Sequence, residues 1–186
     1  MSLVAVTRLR VRSVRFIPSF AVHVFRARRQ VREAPGFQGG SLLADRTWTF
    51  WTMTVWDGQE SMRRYMTTDP HLTTMRYLID WCDEASVVHW EQPNTALPSW
   101  LDAHQRMRAS GRASRVRNPS PRHATLSFQP PRIAGATTIT PKPLCETRAF
   151  VRPTSLMAEA VDEQRSSAGR DRSCQPASWA VPSEGW

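Results

Sequence analysis

Two strand-like runs, Phe37–Asp45 and Thr47–Trp56, follow one another with only Arg46 between them. So short a link cannot carry a crossover, so the pair must be an antiparallel hairpin. The second run is the clearest strand in the chain: threonines, aromatics and Val55 fill it, and these suit a pleated, half-buried surface. On a period of two, Trp48, Phe50, Thr52, Thr54 and Trp56 share one face, and Thr47, Thr49, Trp51, Met53 and Val55 the other. Gly39 and Gly40 loosen the first run and point to a bulge or a close backbone approach.

The hairpin is flanked by elements that complete a known order. Leu3–Arg12 alternates as a strand, with one apolar face and one that turns basic through Arg8, Arg10 and Arg12. Pro18–Glu33 reads as a helix, with Phe16, Phe20, Val24, Ala27 and Val31 as its apolar stripe and arginines in its last turns. Ala34-Pro35-Gly36 stops it. After the hairpin, Asp57 with Glu60 gives a capping-box-like start to a helix ending near Met66. Asp69 caps a second helix through Leu72, Met75, Leu78 and Cys82, with Pro70 in its first turn. Ala85–Glu91 is a last strand, and Trp100–Arg108 a short helix packed back on the domain. The order β-α-β-β-α-β predicts an α+β, ferredoxin-like fold.

Six of the eight Trp lie between Trp48 and Trp100, and nine of the fourteen Pro lie from Pro119 onward. A core can therefore form in the first part and scarcely in the second. The expectation is a domain over 3–108 and a basic, Pro/Ser/Arg-rich, largely disordered tail over 109–186, with one weak helical run at Leu156–Gln164. The net charge is +9. Residues 1–107 carry 13 Arg against 10 acids, so the basic excess falls mainly in the tail. With no recognised binding motif beside that charge, a nucleic-acid partner is not expected. Cys82, Cys145 and Cys174 form no CxxC pair or ligand cluster, a pattern that fits a reducing cytoplasm. The arginine-interleaved N-terminus does not read as a signal peptide, and no window is apolar enough for a membrane span. Phosphate loops, dinucleotide fingerprints, zinc signatures and nucleophile elbows are all missing from the sequence.

Certain strings carry a family resemblance: Phe37–Asp45, Thr49–Trp56, Pro70-His71, Trp81–Ala85 and His89-Trp90. They resemble bacterial members of the dimeric α/β-barrel superfamily, in particular its DUF3291-like and antibiotic-biosynthesis-monooxygenase branches. The resemblance spans roughly residues 3–105. It implies a homodimer with sheets packed face to face, and a cavity between each protomer's sheet and helices. It also implies either cofactor-free oxygenation of polyaromatic substrates or heme binding. No characterised branch supplies a catalytic set that maps onto this chain.

The candidate residues each read two ways. His71, near a helix start, would stay neutral and serve as general base or heme ligand, or else would pack a helix break. Trp51, Met53 and Trp56 would wall a cavity for a flat, mostly apolar ligand, or would be ordinary core and interface. Arg8 and Arg10 would neutralise a carboxylate or phenolate ligand, or would pair with acids across the dimer or face solvent. His23 and His89 are ligand candidates or packed histidines. Asp80, Asp83 and Glu84 read as a solvated helix end, and Cys82 as a buried apolar thiol. Two functions stay open: a small monooxygenase-like catalyst, or a non-catalytic dimeric binding or structural module.

Overall fold

The computed structural model describes residues 1–143. Its elements are β1 (Ser2–Val11), a short 3-10 turn (Val14–Phe16), α1 (Ile17–Glu33), β2 (Phe37–Asp45), β3 (Thr49–Trp56), α2 (Gln59–Met66), α3 (His71–Trp81), β4 (Cys82–Gln92), α4 (Trp100–Ser110), β5 (Arg112–Ala113) and β6 (Thr137–Ile139). The sheet order is β5-β4-β1-β3-β2-β6, and every pairing is antiparallel. The inner four strands in the order β4-β1-β3-β2, with α1 and α2–α3 as crossovers, are the ferredoxin-like arrangement.

The two-residue period splits the core in two. Leu3, Ala5, Phe37 and Trp56 face the helical layer, where they meet Val31 of α1 and Met62 of α2; Val11 meets Phe20 and Leu78 there. Val4, Val6, Leu43, Trp51, Met53, Val55 and Val88 point the other way and meet Trp100, Ala103 and Met107 of α4. A four-stranded sheet with helices on one side leaves an apolar face bare. Here α4 covers it, which is why β1 is buried on both faces. Ser99 starts α4 by accepting a bond from the Asp102 amide at 3.1 Å.

Local expectations fare unevenly. Pro70, not Asp69, holds the cap position of α3, but the Asp69 carboxylate does accept the Thr73 N–H of its first turn at 3.0 Å. Asp57 does not cap α2: Gly58 holds that position without a side-chain bond, and Glu60 pairs instead with Arg64. The hairpin strand begins at Thr49, because Thr47 and Trp48 form the turn with φ of 54° and 58°. Gly40 is the expected close approach: a Cβ there would sit 2.6 Å from the Met53 carbonyl oxygen.

Packing does not stop at residue 108 as expected. β5 adds to β4, β6 adds to β2, and Ile139 is 2% exposed. Phe128 packs on the α4-side core. The 109–143 strap is held by single anchors rather than by long elements. The Leu156–Gln164 run lies outside the described residues.

Candidate functional site

His71 opens α3 and joins a row of rings under the helical layer. Successive centroids are 4.5 Å (His71–Tyr65), 5.2 Å (Tyr65–Trp56) and 5.4 Å (Trp56–Phe37). Its Nδ1 donates to the Met66 carbonyl at 3.4 Å, and its main-chain N–H to Gln30 Oε1 at 2.9 Å. That tautomer leaves the Nε2 lone pair free. Burial lowers its pKa, which favours the neutral ring. Burial likewise pushes up the Tyr65 phenol, whose hydroxyl donates to the Ala27 carbonyl. Trp56 Nε1 donates to Thr54 Oγ1 at 2.9 Å. Phe37 and Tyr65 pack against the two sides of the Trp56 ring, so Trp56 meets other rings where it was expected to wall a cavity.

Trp51 and Met53 are on the opposite face of the sheet from Trp56. A single cavity walled by all three beside His71 is therefore not formed, although both tryptophans are fully buried. The Trp51 ring instead packs near Trp100, His104 and Phe128, at 6.5, 6.4 and 5.7 Å.

Arg8 and Arg10 are committed to acids of their own chain. Arg8 Nη1 donates to Glu84 Oε2 at 2.6 Å, and its guanidinium lies 4.1 Å from the Phe128 ring centre. Arg10 holds Asp83 through two bonds of 2.9 and 2.7 Å and reaches Glu84 Oε1 at 3.0 Å. Desolvation lowers the Arg8 pKa, while the bond to Asp83 raises that of Arg10. Asp83 and Glu84 are thus not a solvated helix end. They start β4, and register sets Glu84 opposite Arg10. Sequence reasoning missed the strap's share: Ser120 Oγ donates to Glu84 Oε1 at 2.8 Å, and His123 accepts the Ala85 N–H and donates to the Ser114 carbonyl. Its only signal was three polar residues in a stretch without periodicity. Beside this network, among the described residues, Trp51 Nε1, Ser86 Oγ and His104 Nδ1 are buried without a partner.

The remaining candidates scatter. His23 bonds Thr74 Oγ1 at 3.0 Å and sits edge-on to Tyr77 and Trp81. His89 is exposed on β4, and Asp80 pairs with Arg117. Cys82 is buried and its thiol pushed up to about 12 by desolvation, then by Asp83. Among the described residues, His, Cys, Asp and Glu nowhere gather in a set of three able to hold a metal.

An open concavity lies elsewhere. A groove of about 500 Å³ runs along α1, lined by Phe25, Arg28, Arg29, Arg32, Glu33 and Lys142. The strap builds one wall: Lys142 N–H donates to the Arg32 carbonyl at 2.8 Å, and Arg32 Nε to the Thr140 carbonyl at 3.2 Å. Lys142 Nζ bonds Glu33 at 3.1 Å and thereby lowers that carboxyl's pKa. Four cations thus face one acid that is already paired, beside a phenylalanine that is 69% exposed.

No family model and no curated protein matches this chain. Solved structures do resemble part of it. A variant of SnoaB, a cofactor-independent oxygenase from Streptomyces nogalater, matches 53% of this chain and 98% of its own at 19% identity, with a TM-score of 0.44. A putative antibiotic biosynthesis monooxygenase from Nitrosomonas europaea matches 52% of this chain and 94% of its own at 15% identity and a TM-score of 0.46. Rv0793 from Mycobacterium tuberculosis matches 52% of this chain and all of its own at 8% identity and a TM-score of 0.47. The ferredoxin-like assignment rests on the strand order and register of the chain itself.

Proposed function

We propose that this chain is a binding module that takes an anion with an apolar part in the groove along α1. The groove's composition carries the reading: Arg28, Arg29, Arg32 and Lys142 against a single paired acid, with Phe25 exposed beside them. Guanidinium groups match carboxylate, sulfonate and phosphate oxygens, and the phenylalanine offers apolar contact. A cytoplasmic homodimer is compatible with this reading only through some other surface, because α4 and Phe128 cover the helix-free sheet face. The probe is anilinonaphthalene sulfonate, an anion carrying flat apolar rings. Saturable binding that weakens with salt and drops at least tenfold in Arg28→Glu/Arg29→Glu is expected. Binding that ignores both salt and the double substitution would sink the reading.

His71 favours a second reading, a cofactor-free oxygenase for a flat apolar substrate. Its neutral ring with a free Nε2 is what a general base requires. The Tyr65 ring packed on His71 at 4.5 Å supports the cofactor-free form of this reading over a heme-bound one. Oxygen uptake with a panel of reduced polyaromatic phenols, lost in His71→Ala, would support this reading. Equal uptake by both proteins would remove it.

A further inference from the structure

The outward face of α1 is not simply polar. Phe20, Val24 and Val31 turn inward and pack on the core. On the opposite side, at helical spacings of three and four, stand Pro18, Val22, Phe25 and Arg29. Val22 is 50% exposed and Phe25 69%, so two apolar side chains meet solvent in the middle of this face. Arg26 and Arg32 are exposed on its flanks, and Arg28 joins Phe25, Arg29 and Arg32 in the groove. All of these side chains belong to one helix, so helical geometry alone sets them on one surface.

The charge on this face has one sign. Glu33 is the only acid in α1, and Lys142 holds it at 3.1 Å. Arg26, Arg28, Arg29 and Arg32 form no ion pair among the described residues. A helix with four arginines does not cross a bilayer. One with apolar side chains along its outer face and arginines beside them lies in the plane of a bilayer. The arginine stems then run along the apolar layer while their guanidinium groups reach the phosphates.

We propose that α1 seats this face on an anionic lipid bilayer, with Val22 and Phe25 entering the acyl boundary and Arg28, Arg29 and Arg32 holding lipid phosphates. The proposal rests on the anion-binding reading of the groove and names its ligand, since an anionic lipid is an anion with an apolar part. Charge complementarity alone would also suit a nucleic acid or an acidic peptide, but either would leave Val22 and Phe25 in water. A bilayer sets an apolar layer directly beneath its phosphates, so one flat surface takes both kinds of side chain at once. Val22 is not part of the groove's lining, so a small soluble anion held there has no use for it.

The test is co-sedimentation of the full chain with vesicles of phosphatidylcholine alone, or of phosphatidylcholine mixed equally with phosphatidylglycerol, across a salt series. Binding to the mixed vesicles alone, weakening with salt, is expected. Val22→Gln/Phe25→Gln leaves the net charge unchanged and should weaken that binding about tenfold or more. Arg28→Glu/Arg29→Glu should weaken it roughly 30-fold or more. Circular dichroism matching the parent protein checks that each variant folds. Equal binding to both kinds of vesicle, binding to neither, or a Val22→Gln/Phe25→Gln variant that binds like the parent overturns the proposal. So does an Arg28→Glu/Arg29→Glu variant that binds like the parent, because basic residues beyond α1 would then supply the attraction. In each of those cases, salt-sensitive binding of anilinonaphthalene sulfonate that is lost in Arg28→Glu/Arg29→Glu leaves the groove reading standing. Failure of both probes removes both.

Discussion

Arg8 of β1 and Glu84 of β4 form an ion pair of 2.6 Å in which the side chains are only 8% and 4% exposed. Two charges withdrawn from water cost several kcal/mol, and their attraction offsets that only while both are present. Glu84 also serves Arg10 and Ser120, and Arg8 carries the Phe128 ring. The pair is therefore the knot that ties the strap to the sheet. Glu84→Gln should cost about 3–5 kcal/mol of unfolding free energy, because it leaves the buried Arg8 guanidinium without an acid, and Arg8→Met should cost less, because Glu84 keeps Arg10 and Ser120. The double variant Arg8→Met/Glu84→Gln should lose clearly less than the sum of the two. Urea unfolding of all four proteins makes the double-mutant cycle. Strict additivity would show that the two residues do not act as a pair.

The strap is expected to behave as part of the domain. Ile139, 2% exposed, fills the core between Leu3, Phe37 and Trp56 from outside the expected boundary at 108. Ile139→Ala should therefore destabilise the whole domain by about 2–5 kcal/mol, as a buried truncation does. The readout is a shift in the urea midpoint of a single transition monitored by far-ultraviolet circular dichroism. A midpoint equal to that of the parent protein would show that residues beyond 108 do not contribute to the fold.

What sequence reasoning reaches and what it misses follow from the range of the forces involved. Element order was readable because periodicity is local: the alternation of β3 correctly separates Trp51, Met53 and Val55 from Phe50 and Trp56. The consequence, that Trp51 and Trp56 cannot line one cavity, follows once α4 and the helical layer occupy opposite faces. Arg8 and Arg10 looked available because their acids are more than 70 residues away in the chain and meet them only through register. The Thr47–Trp48 turn lacks the Asn or Gly that marks such turns, so the strand looked two residues longer. The strap was invisible for a similar reason. Ser120, His123, Phe128 and Ile139 hold it one side chain at a time, and single anchors leave no period to find. The groove needed both long-range steps, since Lys142 reaches α1 only after β6 has paired with β2.

His71 makes stability depend on pH in a definite direction. Burial holds its folded-state pKa below the ordinary imidazole value of about 6.5. Above that pH the ring is neutral in both folded and unfolded chains, and it contributes no pH dependence. Below it the unfolded chain takes up the proton first, so unfolding becomes progressively easier until the folded pKa is passed. His89, lowered by desolvation and then by Arg112, acts in the same direction but more weakly, because it is exposed on β4. The unfolding free energy should therefore decline as pH falls from about 6.5, and His71→Gln should make that decline shallower while His89→Gln removes a separate part of it. Urea titrations at half-unit pH steps for the three proteins provide the measurement. A His71→Gln profile parallel to that of the parent below pH 6.5 would mean that His71 takes its proton as readily when folded as when unfolded. The depressed pKa that supports the oxygenase reading would then be lost with it.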